Sequence, residues 1–167
     1  MNFAVRLEPT SASPPVVEYC WDTDTDILAA RLDATPEQAE GVSGSVELEG
    51  TDGSWLIFDV RRGRISGIEI AVWPDVHRNA ALAPPGAQQD ALVLVPLVAN
   101  GSGQGSLEIE APIRAEADDA ERVIYFRIGQ KREVRAVRLA RDLLLELDSQ
   151  SSIAGLWLLN VPPFPAS

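Results

Sequence analysis

Apolar and polar residues alternate in short blocks along most of this chain. In Ser45-Val46-Glu47-Leu48-Glu49 the valine and leucine point one way and the polar residues the other, and Leu107-Glu108-Ile109-Glu110 repeats the pattern. Period two marks a strand with one face buried. Blocks such as Trp55-Leu56-Ile57-Phe58 are apolar on both faces and predict central strands. Such segments fall at 3–7, 16–21, 27–32, 45–49, 55–60 and 65–73, and again at 91–98, 106–111, 122–128, 134–139, 143–147 and 153–159. Gly, Pro, Ser and Asp separate them, as in an all-β protein. Arg61-Arg62-Gly63 offers a glycine for positive φ in a hairpin, and Pro14-Pro15 and Pro112 bound strands rather than interrupt them.

The second half repeats the first. Ile65-Ser66-Gly67-Ile68-Glu69-Ile70 matches Ile153-Ala154-Gly155-Leu156-Trp157-Leu158, with the glycines 88 positions apart. An internal repeat constrains a fold more than local propensity does. The expectation is therefore all-β, with two related antiparallel sheet repeats packed as a pseudo-symmetric sandwich or open barrel. Residues 1–76 form the first repeat, 77–90 (with Pro84-Pro85-Gly86) the linker, and 91–167 the second, around one shared core. Both glycines are expected where the two copies pack together.

Two segments carry helical signals. Thr35-Pro36-Glu37-Gln38-Ala39-Glu40-Gly41 has a Thr cap, a first-turn Pro, a capping-box Gln and a terminal Gly, which predict a turn or two of helix. From Val134 to Leu147 a helical period also fits, and propensity favours it. The repeat register sets Leu143–Leu145 against Trp55–Ile57, and so predicts strand.

The assembled pieces resemble DUF2283, a small bacterial family of unknown function. Its pattern is an acidic lead-in, an alternating strand, a strand ending in Asp, a Gly turn and a Gly-Ile-Glu-Ile strand. The first copy supplies Asp22 to Asp26, Ile27 to Leu32, Leu56 to Asp59, Gly63 and Gly67-Ile68-Glu69-Ile70. The second supplies Asp118-Asp119-Ala120-Glu121, Val123 to Ile128, Leu144 to Asp148 and Gly155-Leu156-Trp157-Leu158. It departs where Ser149-Gln150-Ser151 lacks the turn glycine and Trp157 replaces Glu69. The resemblance implies an architecture, here as a fused pair, and no activity.

Composition narrows the function classes. At 46% hydrophobic, the 167 residues can form a real core. A lone Cys20 forms no internal disulfide, the first residues lack signal-peptide character, and no apolar run is long enough to cross a bilayer, which together predict a cytoplasmic protein. A net charge of −11 repels nucleic acid and anionic membrane. Seven of the fourteen basic residues nevertheless fall between Arg122 and Arg141, which reads as a solvated sheet face.

Candidate chemistry is thin. Asp22-Thr23-Asp24-Thr25-Asp26 places acids as a calcium loop does, but Ile27 and Asp33 stand where an EF-hand needs Gly and Glu, so a solvated turn is expected. His77 is the only histidine and has no ligand set or nucleophile elbow beside it; Asp75 and Asp90 are its only candidate orienters. Glu69 is read as solvent-facing or paired with Arg62 or Arg64. Trp21, Trp55, Trp73 and Trp157 recur in the strand frames and read as core filling. The apolar tail Val161-Pro162-Pro163-Phe164-Pro165 is expected to dock on its own sheet or on a neighbour. No catalytic, cofactor-binding or metal-ligating residue is assigned. The expected function is a non-enzymatic module binding a protein partner or itself. The alternative is a small-ligand or carbohydrate binder using the tryptophans, and last a hydrolase built on Asp22, Asp24, Asp26 and Glu69.

Overall fold

A computed structural model of the chain describes residues 4–10, 13–32, 39–87 and 89–165. Among them are fourteen strands and no helix. They are β1 (Arg6–Pro9), β2 (Val17–Asp22), β3 (Ile27–Leu32), β4 (Gly44–Glu49), β5 (Trp55–Arg61), β6 (Arg64–Val72) and β7 (Val76–Arg78), then β8 (Gln89–Leu94), β9 (Gly105–Glu110), β10 (Ile113–Ala117), β11 (Ile124–Ile128), β12 (Val134–Ala140), β13 (Leu143–Asp148) and β14 (Ile153–Leu158). The helical turn expected around Thr35 falls mainly on residues 33–38, outside the described residues. The stretch from Val134 to Leu147 is a hairpin, β12 against β13, with Val137 opposite Leu145. Pairing partners on both sides of β13 override its helical propensity.

The strands form one large, curled, mixed sheet, a half-barrel. Two antiparallel blocks make up most of it. In the first the order is β2-β3-β6-β5-β4, and in the second β10-β11-β14-β13-β12. The joins include parallel pairs, which the sequence reading did not foresee: β9 on β4, β7 on β10, and β8 on β12. β8 also pairs with β1 and touches β6, so it ties the blocks together. Thus β7 and β8 occupy the ends of the segment drawn as a linker, and β9 completes the first block although it lies in the second half of the chain. Both β7 and β10 were missed, because each is short and next to proline.

Alternation decides the inner face. In β5, Leu56, Phe58 and Val60 are buried while Trp55 and Arg61 are exposed. One cluster of buried side chains draws on both halves, with Phe58, Ile68 and Ile70 from the first and Phe126, Leu145 and Leu156 from the second. β13 and β14 differ from the rest in that every residue is buried. Their outer face is therefore covered as well as their inner one. The tail docks on its own chain: Trp21 donates its indole N–H to the Pro162 carbonyl at 2.9 Å, and Phe164 meets the Trp21 ring edge-on at 5.1 Å.

On the outer face β4 and β9 run in register with Glu47 beside Glu108 and Glu49 beside Glu110. Like charges opposed across strands are destabilising by a few tenths to about 1 kcal/mol. Glu108→Lys is accordingly expected to raise stability by about 0.5 kcal/mol at low salt in a urea titration, with the gain shrinking at high salt.

Candidate functional site

The covered outer face of the second block holds the site. In β10, β11, β13 and β14 the inward positions are apolar, so alternation turns Arg114, Glu116, Tyr125, Arg127, Glu146, Gly155 and Trp157 outward together. Register sets Arg114 opposite Arg127 and Glu116 opposite Tyr125. It sets Tyr125 opposite Trp157 and Arg127 opposite Gly155, and Glu146 opposite Gly155 on the other side. The loop after β11 adds Gln130, Lys131 and Arg132, and the chain after β7 adds Leu82, closing a cleft of about 420 Å³.

Glu146 lies at its centre, 6% exposed. A buried carboxylate is costly unless donors satisfy it. Here the Tyr125 hydroxyl donates to Oε1 at 2.7 Å and the Trp157 indole N–H to Oε2 at 3.0 Å. The two donor rings stack on each other, with centroids 4.4 Å apart. Burial, then the hydrogen bond to Glu146 and its charge, push the Tyr125 hydroxyl well above the usual tyrosine range, so it stays a proton donor. Gly155 makes the room: a Cβ there would stand 2.4 Å from Glu146 Oε1 and 3.1 Å from the Phe126 carbonyl.

The cations divide into two kinds. Arg132 is structural, bonded through Nε to Asp148 at 3.0 Å and through Nη1 to the carbonyls of Ile128 and Gln130 at 2.8 Å. Arg114, Arg127 and Lys131 form no ion pair among the described residues. The Arg127 Nε is buried without a hydrogen-bond partner.

The first block offers a comparison at Gly67. There Arg31 stands opposite Gly67 on one side and Asp59 on the other, as Arg127 and Glu146 flank Gly155. Arg31 faces Glu18, however, not a second arginine. Ala29 and Glu69 stand where the other block has Tyr125 and Trp157. Burial raises the Asp59 carboxyl above the usual range, and Arg31 partly offsets this. Both glycines thus admit an acid from the next strand of their own block. The expectation that they mark a contact between copies is corrected by that geometry.

Other expected residues fall elsewhere. Glu69 is half-buried, and Arg64 binds Glu8 at 2.8 Å instead of pairing with it. Asp22 turns back on its own hairpin, its Oδ1 accepting from the Asp24 amide at 2.9 Å, and Asp26 adopts φ 61° in the same turn. His77 is exposed on β7 opposite Glu116, Asp90 lies 3.8 Å from Arg138, and Cys20 is exposed on β2. Of the tryptophans read as core filling, Trp157 is buried but faces the cleft, Trp21 and Trp73 pack partly buried against the core, and Trp55 is 38% exposed. Trp21 and Trp73 stack 5.7 Å apart beside a second cleft of about 570 Å³ that Phe164 also lines. Most polar groups of that second cleft are already engaged. Both indoles donate to carbonyls, and Arg78 binds Glu121 and the Asp119 carbonyl.

The basic run read as a solvated face thus supplies three residues of a cleft. Glu146, Tyr125 and Arg114 went unremarked. One signal was present: an acid inside Leu143-Leu144-Leu145-Glu146-Leu147 needs buried donors. No protein-family model and no curated protein matches this chain.

Gly155→Ala is expected to cost about 2 kcal/mol, the range for overpacking, and to release the Tyr125–Trp157 stack, seen in near-ultraviolet circular dichroism. Gly67→Ala costs less, because its Cβ would stand 3.1 Å from the Ala30 carbonyl and 3.3 Å from Asp59 Oδ2, with nothing as close as the 2.4 Å contact at Gly155. A pH effect follows from Asp148. Burial opposes its ionisation, but the Ser152 amide, Arg132 and the Gln150 amide outweigh that and hold its carboxyl below the usual range. Its stabilisation is present above the ordinary aspartate value of about 3.9 and lost as pH falls through the lower folded value. Asp148→Asn should therefore lower stability at pH 7 by about 2 kcal/mol, with the difference from the parent narrowing below pH 4 in thermal melts.

Proposed function

We propose that this chain is a non-enzymatic binding module, two DUF2283-like repeats fused into one half-barrel, whose second repeat holds a small anionic ligand in the Tyr125–Trp157 cleft. The duplication is supported by the common strand order of the two blocks and by the shared surroundings of Gly67 and Gly155. It is supported too by register shifts after Asp59 and after Glu146, at corresponding points of the two hairpins.

One observation carries the ligand reading: Arg114 opposes Arg127 across adjacent strands, and the Arg127 Nε is buried without a partner. An unpaired buried donor costs on the order of 1–3 kcal/mol, more when charged, and an opposed pair of cations adds repulsion. An anion between the guanidinium groups removes both costs. At the corresponding point of the first repeat Glu18 already supplies the negative charge. Binding is favoured over carboxylate catalysis because both oxygens of Glu146 are engaged by Tyr125 and Trp157. This is the small-ligand reading of the sequence, narrowed from the four tryptophans to Trp157, in a protein we take to be cytoplasmic.

A protein partner, or a second copy, is the second reading. It rests on the outer edge of β9, which has no strand beside it among the described residues. Exposed glutamates on that edge oppose casual strand pairing.

The test is an anion titration followed by tryptophan fluorescence. The parent is expected to show a saturable change with sulfate, weakened at least tenfold in Arg127→Gln and unchanged in Arg31→Gln. Equal responses from the parent and Arg127→Gln would remove the site.

A further inference from the structure

Resting on the anion-binding reading of this cleft, we infer that its ligand class is a small phosphomonoester, with the phosphoryl dianion held between Arg114 and Arg127. Four cations (Arg114, Arg127, Lys131 and Arg132) and two carboxylates (Glu116 and Glu146) line the cleft, and with Arg132 set against its partner Asp148 a formal charge of +1 remains. A monocarboxylate takes one guanidinium fork and leaves the second arginine of the opposed pair uncompensated. A phosphoryl group has three peripheral oxygens and a charge of about −2 near neutrality, so it can accept from both guanidinium groups and from Lys131 at once. Arg132 is not available as a fourth arm, because Asp148 and backbone carbonyls hold it.

The rest of the cleft sets the other end of the ligand. Leu82, Val134 and Ala154 line it beside Tyr125, so the group carried by the phosphate lies on apolar surface. A volume of about 420 Å³ suits a metabolite rather than a polymer. The charge of the whole protein points the same way. At −11 it repels nucleic acid and anionic bilayers at long range. A single small dianion feels the local positive charge instead, because the screening length at physiological salt is only about 8 Å.

The experiment uses the full chain and isothermal titration with glycerol phosphate, sulfate and acetate at pH 7.5 and pH 5. A phosphomonoester loses its second charge around pH 6. Glycerol phosphate is expected to bind at least tenfold tighter than acetate at pH 7.5, and about tenfold weaker at pH 5 as the dianion is depleted. Sulfate keeps its charge throughout. His77, opposite Glu116 on β7, and Glu116, Glu146, Asp148 and Tyr125 are the protein's own titratable groups facing the site from its strands. Any change in them moves sulfate as well, so the ratio of the two affinities isolates the ligand's ionisation. Acetate matching glycerol phosphate, or a ratio that does not change with pH, overturns the phosphoryl assignment while leaving an anion site in place. No binding of any of the three overturns the anion reading itself.

Arg127→Gln and Arg114→Gln guard against misfolding. Each relieves a like-charge contact, so each is expected to melt at or above the parent temperature without ligand while losing glycerol phosphate. A variant that keeps its affinity counts against the proposal. Vesicles of phosphatidic acid are expected to leave the protein in the supernatant. Co-sedimentation with them would assign the site to a lipid headgroup and overturn the small-molecule part.

Discussion

A carboxylate stands in a strand whose every residue is buried, and much of the second half of this molecule is arranged to satisfy it. Glu146 needs donors on a sheet face from which water is largely excluded. Trp157 provides one from β14, the strand of Gly155 itself, and Tyr125 the other from β11 beyond it, and their rings then cover the face that the donors occupy. The glycine is required because the carboxylate fills the space where a side chain would begin. This single demand explains why the outer face of the β13–β14 hairpin is closed while the corresponding face of β5 and β6 is half open. Closing it also draws Arg127 into partial burial beside Arg114.

The comparison between the blocks sharpens this. At Gly67 the same geometry holds a shorter acid and an exposed arginine with a glutamate opposite it, so the arginine there stands among acids. At Gly155 the acid is bound by neutral donors, and the arginine is set against another arginine. The second arrangement leaves the Arg127 Nε buried without a hydrogen-bond partner. Functional sites commonly carry such uncompensated interactions, which the surrounding fold must hold in place.

Much of the architecture could be read from the chain. Twelve blocks of alternating or continuous apolar residues predicted strands, and each corresponds to a strand, with ends shifted by a few residues. The repeat register gave strand for Val134 to Leu147 against its helical propensity, because Leu143–Leu145 had to play the part of Trp55–Ile57. β7 escaped notice since three residues give too short a period to recognise, whereas β10 alternates over five residues but abuts Pro112 and has alanines at two of its inner positions. The site was less legible. Arg114 and Arg127 are thirteen positions apart, and nothing in their spacing announces that a hairpin places them face to face. The tryptophans were legible only in part, for a similar reason. Their recurrence in strand frames said that each would be packed, but not on which side of the sheet.

The sequence alone therefore determined what depends on neighbours along the chain: the all-β class, most strand positions, and which residues of a strand share a face. Alternation is a local property, and the hydrophobic effect acts on it wherever the strand pairs. Only the tertiary structure decided which strands lie side by side, that three of the contacts are parallel, and that β9 belongs with the first block. It also decided that Arg114, Arg127, Lys131, Tyr125, Glu146 and Trp157 share one cleft. Those outcomes rest on register between segments far apart in the chain, and a shift of one residue would send each of these side chains to the opposite face.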